Sequence, residues 1–282
     1  MRVLVAGCGY VGCELARRLV AGGHAAWGLS RHPAGLPPGV RPLAADLTDR
    51  AALRGLPPGL DAVVYAAAAG GPTEAHYRAA YLDGPRNLLA ALAEARQSPR
   101  RILYVSSTGV YAQRDGSWVD ETSITAPADF SGTVLLGGEQ AVLGGPFPAV
   151  VLRLAGIYGP GRTLWIDRVR EGTARRPPPG SWTNRIHRDD AARSIEHLLA
   201  LETPESLYIG VDDEPAELAD VLTFLAARLG VPPPPPEPES AAGGPMRERG
   251  TKRCSNRRLR ASGFSLLYPT FREGYGALLG GP

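Results

Sequence analysis

At 282 residues the chain is long enough to bury a large core and to form one or two domains. Hydrophobic residues make up 44% and charged residues 21%, as in an ordinary soluble globular protein. The net charge of +3 is spread over scattered arginines, which excludes the basic stripe that nucleic-acid binding requires. No apolar run is long enough to span a bilayer, and Met1-Arg2 runs straight into the first strand without a leader pattern. A cytoplasmic protein with no membrane partner is expected. Lys252 is the only lysine, which reads as a coding bias. Cys8, Cys13 and Cys254 match no zinc or thioredoxin spacing, so no metal is expected and the thiols read as small apolar fillers.

The first element is an apolar run, Val3 to Ala6, that meets Gly7-Cys8-Gly9-Tyr10-Val11-Gly12 and then a helical pattern from Cys13 to Val20. Strand, G-x-G-x-x-G and helix in this order form a dinucleotide-binding fingerprint. Gly7 permits the tight turn and Gly9 lets the backbone approach a pyrophosphate. Gly12 lets the helix pack on its strand, and Tyr10 and Val11 open the helix whose free N–H groups face the phosphates. Gly22-Gly23 ends that helix. His24 to Leu29 reads as the second strand, followed by Ser30-Arg31. An acidic residue there would bind the ribose 2′-OH of NAD, and an arginine suits a 2′-phosphate. The pair Ser30-Arg31, with no carboxylate beside it, favours NADP over NAD.

Val40 to Ala45 is a short third strand ending at Asp46-Leu47, placed to meet the adenine edge. Leu60 to Ala69 reads as a buried fourth strand whose small end, Ala66, Ala67 and Ala68, lets a cofactor lie against the backbone. A helix follows from about Thr73 to Arg96, then a fifth strand from Arg101 to Val105 that runs into Ser106-Ser107-Thr108-Gly109-Val110-Tyr111. A helix over Thr133–Leu143 and a sixth strand over Ala149–Leu154 lead to Gly156 and Tyr158. Later elements are a helix from Ala191 to Leu201, a strand from Ser206 to Val211 and an amphipathic helix from Leu218 to Leu229. Five prolines, Pro232 to Pro236, form a stiff stretch, and Gly243 to Gly250 reads as a loop.

Strands alternating with helices predict an α/β fold, a doubly wound parallel sheet (Rossmann fold) with a smaller C-terminal substrate lobe. The expected division is 1–160 plus about 187–211 for the dinucleotide-binding domain, and 161–186 plus 212–282 for the lobe. The motifs all fall at carboxyl ends of strands, where ligands bind in such sheets.

These residues carry a resemblance. Gly7-x-Gly9-x-x-Gly12, Val105-Ser106-Ser107-Thr108-Gly109-Val110-Tyr111, Asp120-Glu121, Leu152-Arg153-Leu154-x-Gly156-Ile157-Tyr158-Gly159-Pro160 and Asn184-Arg185-Ile186-His187-x-x-Asp190 resemble the extended short-chain dehydrogenase/reductases of the sugar epimerase/dehydratase type. The ending, Lys252 to Tyr275, is similar to an atypical bacterial branch described only as NAD-dependent epimerase/dehydratase-like. The resemblance implies NAD(P) in the N-terminal lobe, a small-molecule substrate against the C-terminal lobe, and an active-site hydroxyl at Ser107. It also implies a Tyr-x-x-x-Lys pair, in which the tyrosine passes the proton and the lysine lowers its pKa. Here the matching stretch is Phe130-Ser131-Gly132-Thr133-Val134-Leu135, so Ser131 stands at the tyrosine and Leu135 at the lysine. With Phe130 aligned instead, Val134 falls at the lysine.

Proton donors must then come from elsewhere, and Tyr111, Tyr158 and His187 are the candidates beside Ser107. Each has a plainer role open to it: packing for the tyrosines, and a structural hydrogen bond for His187. Asp120-Glu121 reads as a turn or helix cap rather than an acid/base pair. Arg162, Trp165, Trp182 and Arg185 are candidate pocket residues. Three functions are compatible with this set. The first is an NADP-preferring oxidoreductase acting on a small carbonyl or imine. The second is a nucleotide-binding sensor that has lost catalysis, and the third a non-redox NAD-dependent epimerase or dehydratase. A monomer and a homodimer are both open.

Overall fold

The computed structural model describes residues 1–127, 129–238 and 251–280, so the loop expected over Gly243–Gly250 lies outside the described residues. In chain order the elements begin with β1 (Arg2–Ala6), α1 (Tyr10–Ala21), β2 (Ala25–Ser30), β3 (Arg41–Ala44), β4 (Ala62–Tyr65) and α2 (Glu74–Arg78). Next come α3 (Gly84–Glu94), β5 (Arg101–Ser107), β6 (Trp118–Val119), α4 (Phe130–Leu143), β7 (Ala149–Leu154), β8 (Gly156–Tyr158) and α5 (Leu164–Arg170). They continue with β9 (Trp182–Thr183), β10 (Arg185–His187), α6 (Arg188–Ala200), β11 (Leu207–Gly210), β12 (Ala216–Glu217), α7 (Leu218–Leu229) and β13 (Arg253–Cys254). Two helices close the chain, Arg257–Ala261 and Phe271–Leu278.

Seven strands form a parallel sheet in the order β11-β7-β5-β4-β1-β2-β3. The register sets Val3 beside Ala26 and Ala62, and Val63 beside Ile102. Val3 to Ala6 and Ala62 to Tyr65 are buried throughout, because a parallel sheet covered on both faces has no solvent side. β4 is shorter than the expected run: after Tyr65 the small residues Ala66 to Ala69 leave the ladder, with the Ala66 amide still donating to the Ala6 carbonyl at 2.8 Å. α4 starts three residues earlier than the expected helix because Asp129 caps it, accepting from the Gly132 amide at 3.0 Å.

The long helix expected over Thr73–Arg96 is interrupted. Between α2 and α3 the chain makes a π-helical turn, Ala79–Asp83. Two buried tyrosines account for it: the Tyr65 hydroxyl donates to the Ala80 carbonyl, and the Tyr104 hydroxyl donates to the Tyr81 carbonyl at 2.9 Å. A π-turn loosens the intrahelical ladder and leaves carbonyls to accept from side chains. Periodicity in the sequence cannot register such a bulge, since the acceptors belong to the helix and the donors to two strands.

Contacts divide the chain into two compact units. The first comprises Met1–Val110, Ala126–Arg153 and Ala192–Tyr208; the second comprises Tyr111–Thr125, Leu154–Ala191 and Ile209–Pro282. The first unit packs Leu4, Leu29, Tyr65, Leu92, Ile102 and Tyr104 into one core. The second unit is built from small strand pairs absent from the sequence-based expectation: β8 with β10, β9 with β12, and β6 with β13. Strands of two or three residues carry no alternation long enough to read. Its core gathers Ile166, Val169, Leu222, Leu225, Phe271 and Tyr275. α7 spans the expected residues and ends at Gly230, whose φ of +68° suits glycine. The last helix starts with a capping box, Thr270 and Glu273 bonding reciprocally to each other's backbone.

Adjacent glycines of α4 make a controlled test of this packing. A Cβ at Gly138 would sit 2.0 Å from the Tyr81 carbonyl oxygen, whereas one at Gly137 would make ordinary contact with Leu82 at 3.5 Å. Gly138→Ala is expected to destabilise by about 1–3 kcal/mol through overpacking. Gly137→Ala is expected to stabilise by about 0.5–1 kcal/mol through helix propensity. Denaturant unfolding of the two variants, side by side, checks both signs.

Candidate functional site

The glycine turn between β1 and α1 is shaped by two crowded positions and one open one. Gly7 has a φ of +93°, and a Cβ there would lie 2.2 Å from the Ala67 amide nitrogen. At Gly12 an added Cβ would lie 2.4 Å from the Gly7 carbonyl oxygen. Both glycines are therefore demanded by the chain's own packing. Gly9 is different: its φ is −98° and an added Cβ meets nothing within 4 Å. The turn keeps open space at the point where a pyrophosphate would lie. Gly9 is also the N-cap of α1, which has no side-chain cap, and Tyr10 and Val11 supply the first-turn amides. These residues fit a dinucleotide phosphate.

The ends of neighbouring strands complete the edge. The amides of Gly7 and Cys8 donate to the Leu29 carbonyl of β2 at 3.0 and 3.1 Å, and Ala66 to Ala68 follow β4 directly. Ser30 closes β2 and Arg31 is exposed beyond it, with no ion pair among the described residues. The Asp46 carboxylate accepts from the Thr48 amide at 2.9 Å and the Thr48 hydroxyl at 2.7 Å. Those hydrogen bonds, with a smaller contribution from the charge of Arg31, hold its carboxyl below the usual range. The Leu47 carbonyl accepts from Asn87 Nδ2 at 3.0 Å, which pins this strand end to α3.

At the end of β5 the two serines diverge. Ser106 is buried and its hydroxyl donates to Glu139 Oε1 at 2.5 Å. Glu139 is also held by Arg153 of β7, with Nε at 2.9 Å from Oε1 and Nη2 at 2.6 Å from Oε2. This forked ion pair is buried on both sides. Ser107 is half-buried, and its Oγ accepts from the Gly109 amide at 3.1 Å. On α4, Ser131 donates to its own N-cap, Asp129, at 2.6 Å, while Val134 and Leu135 are buried.

The remaining candidates lie in the second unit. Tyr111 is buried and its hydroxyl donates to the Asp120 carbonyl at 2.8 Å; its own carbonyl accepts from Lys252 Nζ at 2.9 Å. Asp120 forms a turn by accepting from the Thr122 amide at 2.9 Å, and Glu121 is buried and accepts from the Ile209 amide at 2.9 Å. Gly156 opens β8, with an added Cβ 3.2 Å from the Asn184 carbonyl oxygen. Tyr158 and His187 are brought together: their rings meet edge to face with centroids 5.4 Å apart, and Tyr275 and Tyr268 flank them at 4.4 and 4.1 Å. Burial, then the charge of Asp212, raises the Tyr158 hydroxyl well above the usual range. Arg162 is exposed and Trp165 half-buried, whereas Arg185 is buried beneath the ring of Phe271, with a hydrogen bond to the Thr183 hydroxyl.

Two groups escaped sequence reasoning. Asp212, in the second unit, is buried, and among the described residues neither carboxylate oxygen has a hydrogen-bond partner. Burial pushes its carboxyl up to about 8 against the opposing charge of Arg185. Glu139, on α4 of the first unit, is the other. An acidic residue beside apolar neighbours is the signal for both, and it does not distinguish a paired carboxylate from an unpaired one.

Asp212 makes a pH prediction. Its carboxyl is raised above the unfolded value of 3.8, so the folded state binds the extra proton between pH 4 and 8. Stability from this group is full below pH 4 and falls by about 1.4 kcal/mol per pH unit as pH rises toward 8. Asp212→Asn removes that dependence. Thermal melts of the variant between pH 5 and 8 are expected to slope less steeply downward than those of the wild type; parallel slopes would contradict the assignment.

Comparisons with known proteins agree with this geometry. The model of the NAD dependent epimerase/dehydratase family matches residues 3–210. No curated protein matches the chain. The solved structure of a protein from Methylobacillus flagellatus, assigned as an NAD-dependent epimerase/dehydratase, is 38% identical over 99% of this chain and 97% of its own, with a TM-score of 0.80. A conserved protein of unknown function from Silicibacter pomeroyi DSS is 33% identical over 99% and 98%, with a TM-score of 0.77. A human epimerase family protein solved with NADPH shares the fold at 23% identity, over 97% of each chain, with a TM-score of 0.79. With a family model spanning most of its length and a relative of 38% identity, the chain belongs to the NAD dependent epimerase/dehydratase family.

Proposed function

We propose that the chain is an NAD(P)-dependent oxidoreductase of the extended short-chain type, with NADP preferred and a small carbonyl or imine as substrate. The observation that carries the reading is the open space at Gly9, beside two glycines that the fold itself requires. Gly9, Tyr10 and Val11 would hold the pyrophosphate on the uncapped start of α1. Ser30 and Arg31 would take the ribose phosphate, and the exposed Arg31, without an ion-pair partner among the described residues, supports NADP. Asp46 and Leu47 would border the adenine, Ala66 to Ala68 would admit the cofactor close to the backbone, and the end of β5 at Ser106 and Gly156 at the start of β8 would complete the set. Relatives of this fold were solved with NADPH and with NAD.

When bound, the nicotinamide supplies the hydride, and the protein supplies position and a polar group at the acceptor atom. Ser107 would hydrogen-bond the substrate oxygen or nitrogen. α4 offers neither a phenol at Ser131 nor an amine at Leu135, so the proton would come from Tyr111, Tyr158 or His187, or with the substrate. An imine can arrive protonated and needs no enzyme acid, which is why imines fit this chain better than ketones. The buried Leu135 also favours a second reading, a nucleotide-binding protein without turnover.

Calorimetric titration with NADPH and NADH tests the cofactor. Gly9→Ala leaves the chain's own packing untouched, so it is expected to keep the wild-type melting temperature while weakening NADPH by about tenfold or more through the lost phosphate approach. Arg31→Ala is expected to abolish the preference for NADPH; equal affinity of the wild type for both cofactors would end the NADP assignment. Steady-state NADPH consumption over a panel of imines and ketones separates the readings of function. Turnover of imines supports the proposal, turnover of ketones alone sinks the imine preference, and tight NADPH binding with no turnover supports the second reading.

A further inference from the structure

The second unit carries an aromatic and cationic ladder that its packing does not explain. Trp118 of β6 is 56% exposed, unusual for the largest side chain in the set. Its register partner on β13 is Arg253, whose guanidinium carbon lies 5.3 Å from the Trp118 ring centroid and 4.9 Å from that of Trp182. The guanidinium is held between two indoles. Backbone ties from three segments fix the arrangement. Arg253 Nε donates to the Gly116 carbonyl at 2.7 Å, and the Gly116 amide donates to the Thr251 carbonyl at 2.9 Å. The Trp182 amide donates to the Thr251 hydroxyl at 2.9 Å. Gly116 itself has a φ of +74°, and a Cβ there would lie 2.9 Å from the Trp182 ring, so only glycine lets the indole approach this closely.

Anchoring through Nε leaves the other face of the fork. Among the described residues Arg253 Nη1 and Nη2 make no hydrogen bond and no ion pair. Asp115, whose carboxyl feels the charge of Arg253, lies outside ion-pair distance and accepts from the Ser117 amide at 3.0 Å. A guanidinium fork recognises a carboxylate or phosphate bidentately, and an indole face accepts a flat ring. A fork fixed beside an exposed indole offers both at once. We propose that Trp118, Trp182 and Arg253 form a ligand subsite for an anion attached to a flat ring, the ring lying on the exposed indole and the anion on Arg253 Nη1 and Nη2. This assignment goes beyond the cofactor reading and does not depend on it, since every residue of the ladder belongs to the second unit.

The test uses the full chain labelled with 5-fluorotryptophan, whose four tryptophans give separately assignable fluorine resonances. Phenyl phosphate and benzoate are titrated with saturating NADPH, against inorganic phosphate alone and phenol alone. The resonances of Trp118 and Trp182 are expected to shift saturably with both ring-bearing anions, while that of Trp27, buried in the first unit, stays still. Arg253→Gln and Trp118→Ala are each expected to weaken the binding by about tenfold or more. Trp118 is exposed, so its variant stays folded and carries the test even if Arg253→Gln perturbs the strand pair. The proposal is overturned if the Trp118 resonance of the wild type does not move, or if the Trp182 resonance moves equally in the wild type and both variants. It is also overturned if inorganic phosphate alone reproduces the shift, which would mark an adventitious ion only. A chain that fails to bind NADPH but still shows the shifts would refute the cofactor reading and leave this subsite standing.

Discussion

Glu139 is a carboxylate that the fold cannot leave alone. It is buried on α4, and its two oxygens are claimed by the fork of Arg153 from β7 and by the hydroxyl of Ser106 from β5. Removing either charged partner would strand the other in a low-dielectric interior, at a cost of about 3–5 kcal/mol. The network therefore ties one helix and two strands together at the point where β5 delivers Ser107 to the sheet edge. The buried charges behind that strand end hold in place the backbone from which Ser107, the hydroxyl proposed to meet a substrate, projects.

The same unit uses absent side chains as deliberately as present ones. Gly138 lets α4 lie against the π-turn, where two tyrosine hydroxyls find carbonyl acceptors. Gly7 and Gly12 let the first turn fold back on Ala67 and on itself. At these positions the missing Cβ is filled by protein. Of the three glycines of the first turn, Gly9 alone faces open space, so packing accounts for Gly7 and Gly12 but not for Gly9. That distinction matters more than the motif, because a chain with 35 glycines produces the spacing easily.

The second unit spends polar side chains differently. Tyr158, Arg185 and Asp212 are buried with polar atoms that have no hydrogen-bond partner among the described residues, and burial raises the Asp212 carboxyl toward its neutral form. Near its surface the reverse holds, with Arg253 stacked between two indoles and one of them facing solvent. The unit thus pairs a buried set that favours neutrality with a half-buried charge at its surface.

The sequence by itself determined the parallel sheet, the position of the glycine turn and the residues at the strand ends, because these follow from local patterns: unbroken apolar runs, glycine spacing and caps. It also shows no Tyr-x-x-x-Lys spacing over Phe130–Leu135, whichever of the two alignments is taken. It could not show which glycines were filled and which open, since that depends on Ala67, Gly7 and Tyr81 arriving from other elements. It placed Ser107, Tyr111, Tyr158 and His187 in one list, with Ser106 among the cofactor residues. Only the tertiary structure gave Ser106 to Glu139 and Tyr111 to Asp120, and joined Tyr158 to His187. The short strands of the second unit were invisible for the same reason: two or three residues have no period, and their pairing is decided by partners as far apart in the chain as Trp118 and Arg253.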